Sequence, residues 1–258
     1  MRNFASREVC NLEIVDYRTG KPVLHVDYAN TTATEVTAEN VPAYGGWNRP
    51  SRVIFTGKKE GKFKIETQLR SFELYRLITG TKIESTATFI EREELTGGTN
   101  GVLTLSKTPI ADTIFVFAAD DDCGDALTVT LDGVDLKNPA NSADLVVGSK
   151  YIVYYQARIT ENVQKININT RSFPRAVKIF GETLMKTEDD ELLPYRLVVY
   201  KATPVPSITL EHSNDGDPAT MTIEFDMSAD KDGSMLDLIM ITEEYNPDDY
   251  TDVSQTGM

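Results

Sequence analysis

Residues 206–241 read Pro206-Ser-Ile-Thr-Leu-Glu-His-Ser-Asn-Asp-Gly-Asp-Pro-Ala-Thr-Met-Thr-Ile-Glu-Phe-Asp-Met-Ser-Ala-Asp-Lys-Asp-Gly-Ser-Met-Leu-Asp-Leu-Ile-Met-Ile241. From Thr220 to Met227 apolar and polar residues alternate, which is the pattern of a half-buried antiparallel strand. The apolar positions are Met221, Ile223, Phe225 and Met227. The stretches Asn214–Pro218 and Asp230–Gly233 have the Asp, Asn and Gly content of tight turns. The segment therefore predicts three short strands joined by two turns.

The same period of two recurs through most of the chain. Asn11–Tyr17 and Val23–Tyr28 predict a hairpin around the turn Arg18–Lys21. A Gly-, Pro- and aromatic-rich stretch at residues 40–50 predicts a loop. After it come two strands, Val53–Phe55 and Phe63–Leu69, with a turn at Gly57–Gly61 between them. Further predicted strands are Lys82–Arg92, Val102–Leu105, Thr113–Phe117, Leu127–Leu131, Tyr151–Gln156, Val163–Thr170, Val177–Met185 and Tyr195–Tyr200.

One short helix is predicted between these strands. Ser71 has the side chain of an N-cap, and Gly80 is the residue type that ends helices. Between them Phe72, Tyr75 and Leu77–Ile78 form an apolar stripe. We therefore expect a helix that begins after Ser71 and ends at Gly80.

Gly97-Gly-Thr-Asn-Gly101 is the clearest candidate for a domain boundary. The short strands and frequent turns that follow predict a small immunoglobulin-like β module. The predicted organisation is a first part at residues 1–98, an inserted module at 99–157, a second part at 158–242 and a flexible acidic tail at 243–258. The predicted fold class is mainly β, a sandwich or barrel with one short helix and this insert.

Composition excludes several classes of protein. The 258 residues carry a net charge of −14, of which −10 lies in residues 158–258, so the chain is expected to repel nucleic acid. Two distant cysteines, Cys10 and Cys123, favour a reduced protein, although a disulfide between them stays open. No stretch has the length of a membrane span, and the N-terminus lacks the apolar core of a signal peptide. We expect a protein made in the cytoplasm.

Three acidic loops raise the question of Ca²⁺ binding, which needs several oxygen ligands. They are Asp120–Asp125, Asn214–Pro218 and Asp230–Gly233. None has the spacing of an EF-hand loop, and Asp, Asn and Gly are the residues that turns select. The loops are therefore interpreted as solvated turns, and no metal ligand is predicted.

A search for catalytic and binding residues finds no motif. The only histidines, His25 and His212, accompany no Gly-x-Ser-x-Gly, and neither cysteine has the local signature of a nucleophile. The cluster Glu91–Glu94 is interpreted as a solvated charged face. Lys58, Lys59, Lys62 and Lys64 predict a small basic hairpin that forms ion pairs. We predict that the chain is not an enzyme, with no catalytic residue, no cofactor and no bound metal.

Three segments resemble the major tail tube proteins of long-tailed bacteriophages, and together they cover about half of the chain. Lys62–Gly80 is a strand that leads into a short helix. The pair Ala176–Met185 and Leu193–Ala202 forms the second segment, and the terminal stretch 206–241 is the third. The resemblance implies a tail-tube-like β-sandwich in which residues 1–96 and 158–242 form the tube fold, with the insert displayed outside.

The resemblance also implies a function. Such subunits form hexameric rings whose strands close a continuous barrel, and the rings stack into the tube through which DNA is ejected. The implied partners are further copies of the chain, the tape measure, tail terminator and baseplate proteins and possibly a sheath protein, with DNA only in transit and no membrane. The implied location is the virion tail, assembled in the host cytoplasm.

Two other classes of function compete with the tail tube. The chain is alternatively another phage structural protein, such as a capsid decoration, neck or baseplate component. A carbohydrate- or cell-surface-binding β module is the third reading, and it requires an exposed aromatic patch. The candidate residues for such a patch are Tyr44, Trp47, Tyr151, Tyr154 and Tyr155.

Overall fold

The computed structural model describes residues 3–140, 142–210, 212, 216 and 218–242. This part of the chain is mainly β, with one α-helix, α1 (Phe72–Thr79), and a 3₁₀ turn at Thr99–Gly101. The strands are β1 (Phe4–Ala5), β2 (Asn11–Asp16), β3 (Pro22–Val26), β4 (Thr31–Tyr44), β5 (Ser51–Thr67), β6 (Ile83–Glu84), β7 (Ala87–Thr96), β8 (Leu103–Thr104), β9 (Phe115–Ala118), β10 (Thr130–Asp132), β11 (Asp135–Lys137), β12 (Lys150–Ile159), β13 (Lys165–Ile166), β14 (Val177–Thr187), β15 (Leu192–Pro204), β16 (Met221–Met227) and β17 (Leu236–Met240).

The strands belong to two compact units. Unit 1 combines residues 1–82 with residues 167–258, and unit 2 comprises residues 83–166. Unit 2 is wider than the predicted 99–157 module because β7 pairs with β12 along ten residues, from Ala87↔Ile159 to Thr96↔Lys150. That unit 2 is an insert displayed by a tube fold remains a prediction.

Unit 1 is built on a nine-stranded sheet, counted over the described residues, with the path β3-β2-β14-β15-β16-β5-β4. Strand β1 also pairs with β14, and β17 pairs with β15. Strands β16 and β17 follow one another along β15, since Met227 pairs with Ala202 and Leu236 with Val199. The turn between them is the predicted Asp230–Gly233, where the Asp230 carboxylate accepts from the amides of Asp232 (3.0 Å) and Ser234 (2.8 Å).

The sheet of unit 1 folds over on itself around a single core. Strands β3 and β4 lie at the two ends of the strand path, yet only residues 27–30 connect them. The Cys10 amide donates to the Thr32 hydroxyl across 3.2 Å, which ties the two ends together. The core joins residues from both halves of the path; its fully buried members include Leu12, Ile14, Val26, Phe63, Ile65, Leu74, Ile78, Ile179, Val199 and Phe225. The sandwich architecture and the predicted alternation of 220–227 are confirmed.

Helix α1 begins and ends where the sequence predicts. The Ser71 side chain accepts a hydrogen bond from the Leu74 amide at 3.2 Å, which satisfies one of the free donors of the first turn. Gly80 adopts the left-handed conformation, with φ of 68°, and its amide donates to Arg76 O at 2.9 Å. Leu74 and Ile78, one turn apart, are buried in the unit 1 core.

The predicted turn at Gly57–Gly61 and the predicted loop at 40–50 are wrong. Strand β5 runs without interruption from Ser51 to Thr67, and β4 extends to Tyr44, so only residues 45–50 form the connection. Gly61 lies where β5 and β16 approach closely, because a Cβ on this residue would lie 3.1 Å from the Cβ of Met227 on β16. Close approach of two strands selects Gly without requiring a turn.

Two other predicted strands are largely absent from the described chain. Of Val163–Thr170 only Lys165–Ile166 forms a strand, paired with Ile83–Glu84. Residues 206–210 form no strand; the pairing of β15 with β16 reaches Pro204↔Phe225 and ends with the Val205 amide, which donates to Glu224 O at 2.8 Å. The predicted turn Asn214–Pro218 and the predicted tail 243–258 lie outside the described residues, apart from Gly216 and Pro218.

Unit 2 packs two small sheets around its own core. One sheet has the order β10-β11-β8 and the other has the order β7-β12-β9. Alternate residues of β12 point inward, so Tyr151, Val153, Tyr155 and Ala157 are buried with Leu103 and Leu136 of the other sheet. This arrangement agrees with a small β-sandwich; its immunoglobulin-like character remains a prediction.

The core of unit 2 holds one polar network. The fully buried Tyr155 donates its phenol hydrogen to the Glu93 carboxylate, which also accepts from the Ser106 hydroxyl and from the Ser106 amide at 3.2 Å. Partial burial of Glu93 acts to raise the pKa of its carboxyl, but these hydrogen bonds outweigh it and leave the pKa below its usual value. The ionised form of Glu93 is therefore stabilised in the folded state.

We expect this network to make unit 2 sensitive to acid. The folded-state pKa of Glu93 is depressed, so its contribution to stability is present above the unfolded glutamate pKa of about 4.3 and is lost as the pH falls through the folded value. The Glu93→Gln variant is expected to be less stable than wild type at neutral pH, with a difference that shrinks as the pH falls below about 4. Urea unfolding at a series of pH values measures this difference. A difference that is constant from pH 7 to pH 3 contradicts the assignment.

Candidate assembly surface

The most unusual feature of unit 1 is the far part of the β4–β5 hairpin, residues 36–60, which we call the arm. Strand β16 pairs with β5 only along Gly61–Thr67, so beyond Val36 and Gly61 the two arm strands pair with each other alone. The stretch from Val36 to Tyr44 contains nine residues, which gives an arm about 25–30 Å long. None of residues 36–60 is buried. The arm thus stands free of the core of unit 1.

Both faces of the arm are apolar near its end. The cross-strand pairs Val41↔Phe55 and Ala43↔Val53 lie on one face, and Pro42↔Ile54 lies on the other. Val41, Val53, Ile54 and Phe55 are each at least half exposed. A two-stranded hairpin without other support is only marginally stable, and contiguous exposed apolar surface marks interaction sites. The apolar faces of the arm therefore lack a packing partner within the described part of the chain.

The arm ends in a turn that presents the single tryptophan. The Gly45 amide donates to Pro50 O at 3.2 Å, and the Arg52 guanidinium donates to Gly45 O at 3.1 Å. Two consecutive residues, Asn48 and Arg49, have left-handed φ values of 67° and 45°. This turn leaves Trp47 93% exposed. Trp is among the residues most enriched at interface hot spots, which makes this exposure informative.

The lysines predicted as a basic hairpin lie instead along one strand, β5. The predicted ion pairing is confirmed for three of them: Lys58 pairs with Glu60, while Lys62 and Lys64 approach Glu224 of β16 at 3.9 and 3.0 Å. The hydrogen bond and the charge of Glu224 raise the pKa of Lys64. These pairs lie where the arm joins the sheet. The end of the arm, residues 40–54, contains no Asp or Glu.

Two of the three acidic loops, Asp120–Asp125 and Asp230–Gly233, lie within the described residues, and their carboxylates accept hydrogen bonds from the protein itself. In the 120–125 loop, Asp122 accepts from Arg92 at 2.9 Å and from the Tyr154 phenol at 3.2 Å. Asp230 accepts from amides of its own turn. Across the described residues there is no group of three or more His, Cys, Asp or Glu side chains that could hold a metal ion.

The structure does not bring the histidines or the cysteines together. His25 lies exposed on β3, with Nδ1 2.5 Å from the Glu13 carboxylate and Nε2 3.9 Å from Asp27. His212 is exposed. Both thiols are free: Cys10 is buried in unit 1, where burial raises its pKa and a hydrogen bond with Thr32 partly opposes this, and Cys123 is exposed in unit 2. No helix among the described residues is long and apolar enough to cross a membrane.

The charged cluster 91–94 is held in place by partners within unit 2. Glu91 pairs with Lys107 at 2.6 Å and Glu94 with Lys150 at 2.7 Å. The side chain of Arg92 lies over the Tyr154 ring, 5.7 Å from its centroid. Arg92 and Glu94 are exposed and agree with the predicted charged face, whereas Glu93 is half-buried and belongs to the network with Tyr155.

Two of the four tyrosines proposed for an aromatic binding patch are buried. Tyr151 and Tyr155 face the core of unit 2, and only Tyr154 faces outward. The period of two makes this necessary, because adjacent tyrosines lie on opposite faces of a strand. The proposed patch therefore does not exist as such, whereas Tyr44 and Trp47 of unit 1 are exposed as required.

Sequence reasoning missed the arm because Gly57 and Gly61 resemble turn residues. A signal was present in the β-branched residues of Thr31–Glu39, four Thr and one Val, and in the apolar run Val53–Phe55, since such residues favour strands. No pattern within the arm shows that its apolar side chains are exposed, since a strand in a core has the same composition.

A β-sandwich with a long, exposed apolar hairpin has the character of a structural subunit that contacts other protein chains. The chain matches the YomU/Tube protein family over residues 5–241, nearly its whole length, and it belongs to this family. No curated protein matches the chain. The family is one of phage tail tube proteins, so the chain is a phage tail tube protein, a structural component of the virion tail that assembles with itself into a tube.

Proposed function

We propose that six copies of this chain form a ring and that the rings stack into a tail tube through which DNA is ejected. The observation that carries this proposal is the arm, whose apolar faces have no partner within the described chain. A surface of this kind needs a second protein chain, and in a tube each copy supplies one to the next. Assembly takes place in the host cytoplasm, and no catalytic role is proposed.

The edge strand of the sheet supports the same proposal. Strand β4 ends the strand path, so one edge of its 14 residues pairs with no strand in the described part of unit 1. An exposed edge is a template for pairing with another chain. Pairing of edges around a closed ring removes the free edges of all copies at once. A ring therefore satisfies backbone groups that a single copy leaves to water.

The charge of the chain suits a channel for DNA. The net charge of −14 repels phosphates, so DNA inside such a tube would slide without binding. We propose that unit 1 carries the tube fold and that unit 2 is the additional module displayed by the tube. The proposed partners besides further copies are the tape measure, tail terminator and baseplate proteins and, in a contractile tail, a sheath protein.

Negative-stain electron microscopy across a concentration series tests the proposal. We expect rings and hollow tubes of uniform width, with sixfold symmetry in averaged end views. Analytical ultracentrifugation of the same samples measures the mass of the smallest assembly. A monomer at every concentration, or a discrete oligomer with no lumen, contradicts the tube and favours a decoration, neck or baseplate role.

A further inference from the structure

A groove lies on the outward face of unit 1, across strands β3, β2, β14, β15 and β17. The strand register places Glu13, Phe180, Val198 and Asp237 in one outward row, and it places Asn11, Glu182, Arg196 and Ile239 in the next. Two adjoining cavities of about 530 and 450 Å³ share Asn11 and Glu182 as lining residues. This is the volume of a site for a large side chain or a small ligand.

The floor of the groove is apolar. Phe180, Val198 and Ile239 line the larger cavity, and Phe180 and Ile239 are about 40% exposed, at 39% and 42%. These side chains come from three neighbouring strands, β14, β15 and β17, so they lie side by side. The Lys178 ammonium lies over the Phe180 ring, 4.9 Å from its centroid, at one side of this surface. Covering such a surface with an apolar ring would remove it from water.

The rim of the groove is acidic. Glu8, Glu13, Asp27 and Glu182 line the two cavities together with two basic residues, His25 and Arg196. Glu13 contacts His25 at 2.5 Å, and Glu182 accepts from Arg196 at 3.1 Å. The four carboxylates outnumber the guanidinium and the imidazole that share the rim, so the groove suits a cationic partner.

The end of the arm has the opposite character. Residues 40–54 contain two arginines, Arg49 and Arg52, and no Asp or Glu, in a chain whose net charge is −14. The same stretch presents Trp47 and Tyr44, both exposed. Trp, Tyr and Arg are the residue types most enriched in the energetic centres of interfaces. Two arm ends carry charges of the same sign and therefore repel one another. The arm end is thus expected to contact a surface of its partner other than the partner's arm end.

We propose that the arm end of one copy docks in this groove on a second copy, with Trp47 on the apolar floor and Arg49 against the acidic rim. The inference deepens the proposed tube function and rests on it. Since Trp47 is 93% exposed, it does not occupy the groove of its own chain. Arm-to-groove contact joins two different surfaces, and such heterologous contacts propagate into rings or filaments.

Disulfide trapping between two populations of the full chain tests this site. Both populations carry Cys123→Ser, which removes the exposed thiol, whereas the buried Cys10 stays. One population adds Asn48→Cys, next to an intact Trp47, and the other adds Ile239→Cys on the groove floor. The matched control replaces Ile239→Cys by Leu238→Cys, the adjacent residue, which is 61% exposed on the opposite face of β17.

The expected result is a covalent heterodimer from the Ile239→Cys mixture under mild oxidation. A seated arm holds its thiol at an effective concentration on the order of 1 mM, so at about 10 μM protein the rate should exceed that of the Leu238→Cys control about 100-fold. Tubes or rings on the grid with equal crosslinking of the two positions overturn the groove assignment and leave the tube intact. If neither assemblies nor crosslinks form at any concentration, the proposed tube fails together with the groove.

Discussion

Replacement of residues 39–58 by the dipeptide Asn-Gly is expected to abolish assembly and to leave a folded monomer. Ala38 and Lys59 are opposite each other in the β4–β5 register, so a two-residue turn closes the shortened hairpin without changing the pairing below it. No residue of 39–58 is buried, and the core residues of β5, Phe63 and Ile65, lie outside the deletion. The change therefore removes the arm and spares the core.

The reason for the large effect is that the arm concentrates the exposed apolar surface of unit 1. Without it, a copy would offer its neighbours only the shorter edges and the outward faces of the sheet. Sedimentation velocity and electron microscopy measure assembly, and far-UV circular dichroism measures folding. Tubes that form normally from the shortened chain contradict the role of the arm.

A single substitution, Trp47→Ala, tests the same role of the arm with a smaller change. As an exposed aromatic at the arm end, Trp47 is expected to contribute about 2 kcal/mol or more to each contact, so the concentration needed for assembly rises about 30-fold. The matched control is Phe89→Ala, which removes another exposed aromatic, 64% accessible, from unit 2. We expect the control to assemble at the wild-type concentration.

The second large effect is expected in the core of unit 1. Phe225 is fully buried on β16, which pairs with β5 on one side and β15 on the other, and its ring centroid lies 6.2 Å from that of Phe63. Phe225→Ala removes a ring from the place where the two halves of the strand path meet. A change of this type costs about 3–5 kcal/mol, because the core does not collapse fully into the cavity.

Such a loss is a large fraction of the total stability of a domain, which is about 5–15 kcal/mol. Urea unfolding followed by circular dichroism measures the free energy, and hydrogen exchange of the β16 amides assigns the change to unit 1. The control is Phe173→Ala in the same unit, where the ring is 70% exposed and the expected change is within about 0.5 kcal/mol. Equal losses in the two variants contradict the position of Phe225 at the centre of the core.

Several elements were predictable because their signals are local. The β2–β3 hairpin follows from two alternating stretches and the turn between them, and the bounds of α1 follow from Ser71 and Gly80. A cap acts on amides only three residues away, so neighbouring residues contain all the information. The buried face of 221–227 was likewise predictable, since the period of two separates its two faces.

The prediction from local patterns was wrong at two glycines. Gly57 and Gly61 have the composition of a turn, but Gly61 lies opposite Met227, and a Cβ on Gly61 would lie only 3.1 Å from the Cβ of Met227. Met227 is 166 residues away in sequence, so no local pattern could reveal this contact. The candidate assembly surface was hidden for the same reason, because the predicted turn divided the arm into separate pieces.

By itself, therefore, the sequence determined that the chain is mainly β, which residues alternate, where the helix begins and ends, and the family resemblance. The tertiary structure alone decided which strands share edges and which apolar residues have partners. Phe55 of the arm and Ile65 of the core lie on the same strand, β5, yet only Ile65 is buried. The groove combines Glu13 with Phe180 through a strand pair that joins distant parts of the chain. Burial depends on contacts between segments that the sequence keeps apart, and those contacts are fixed only when the whole sheet forms.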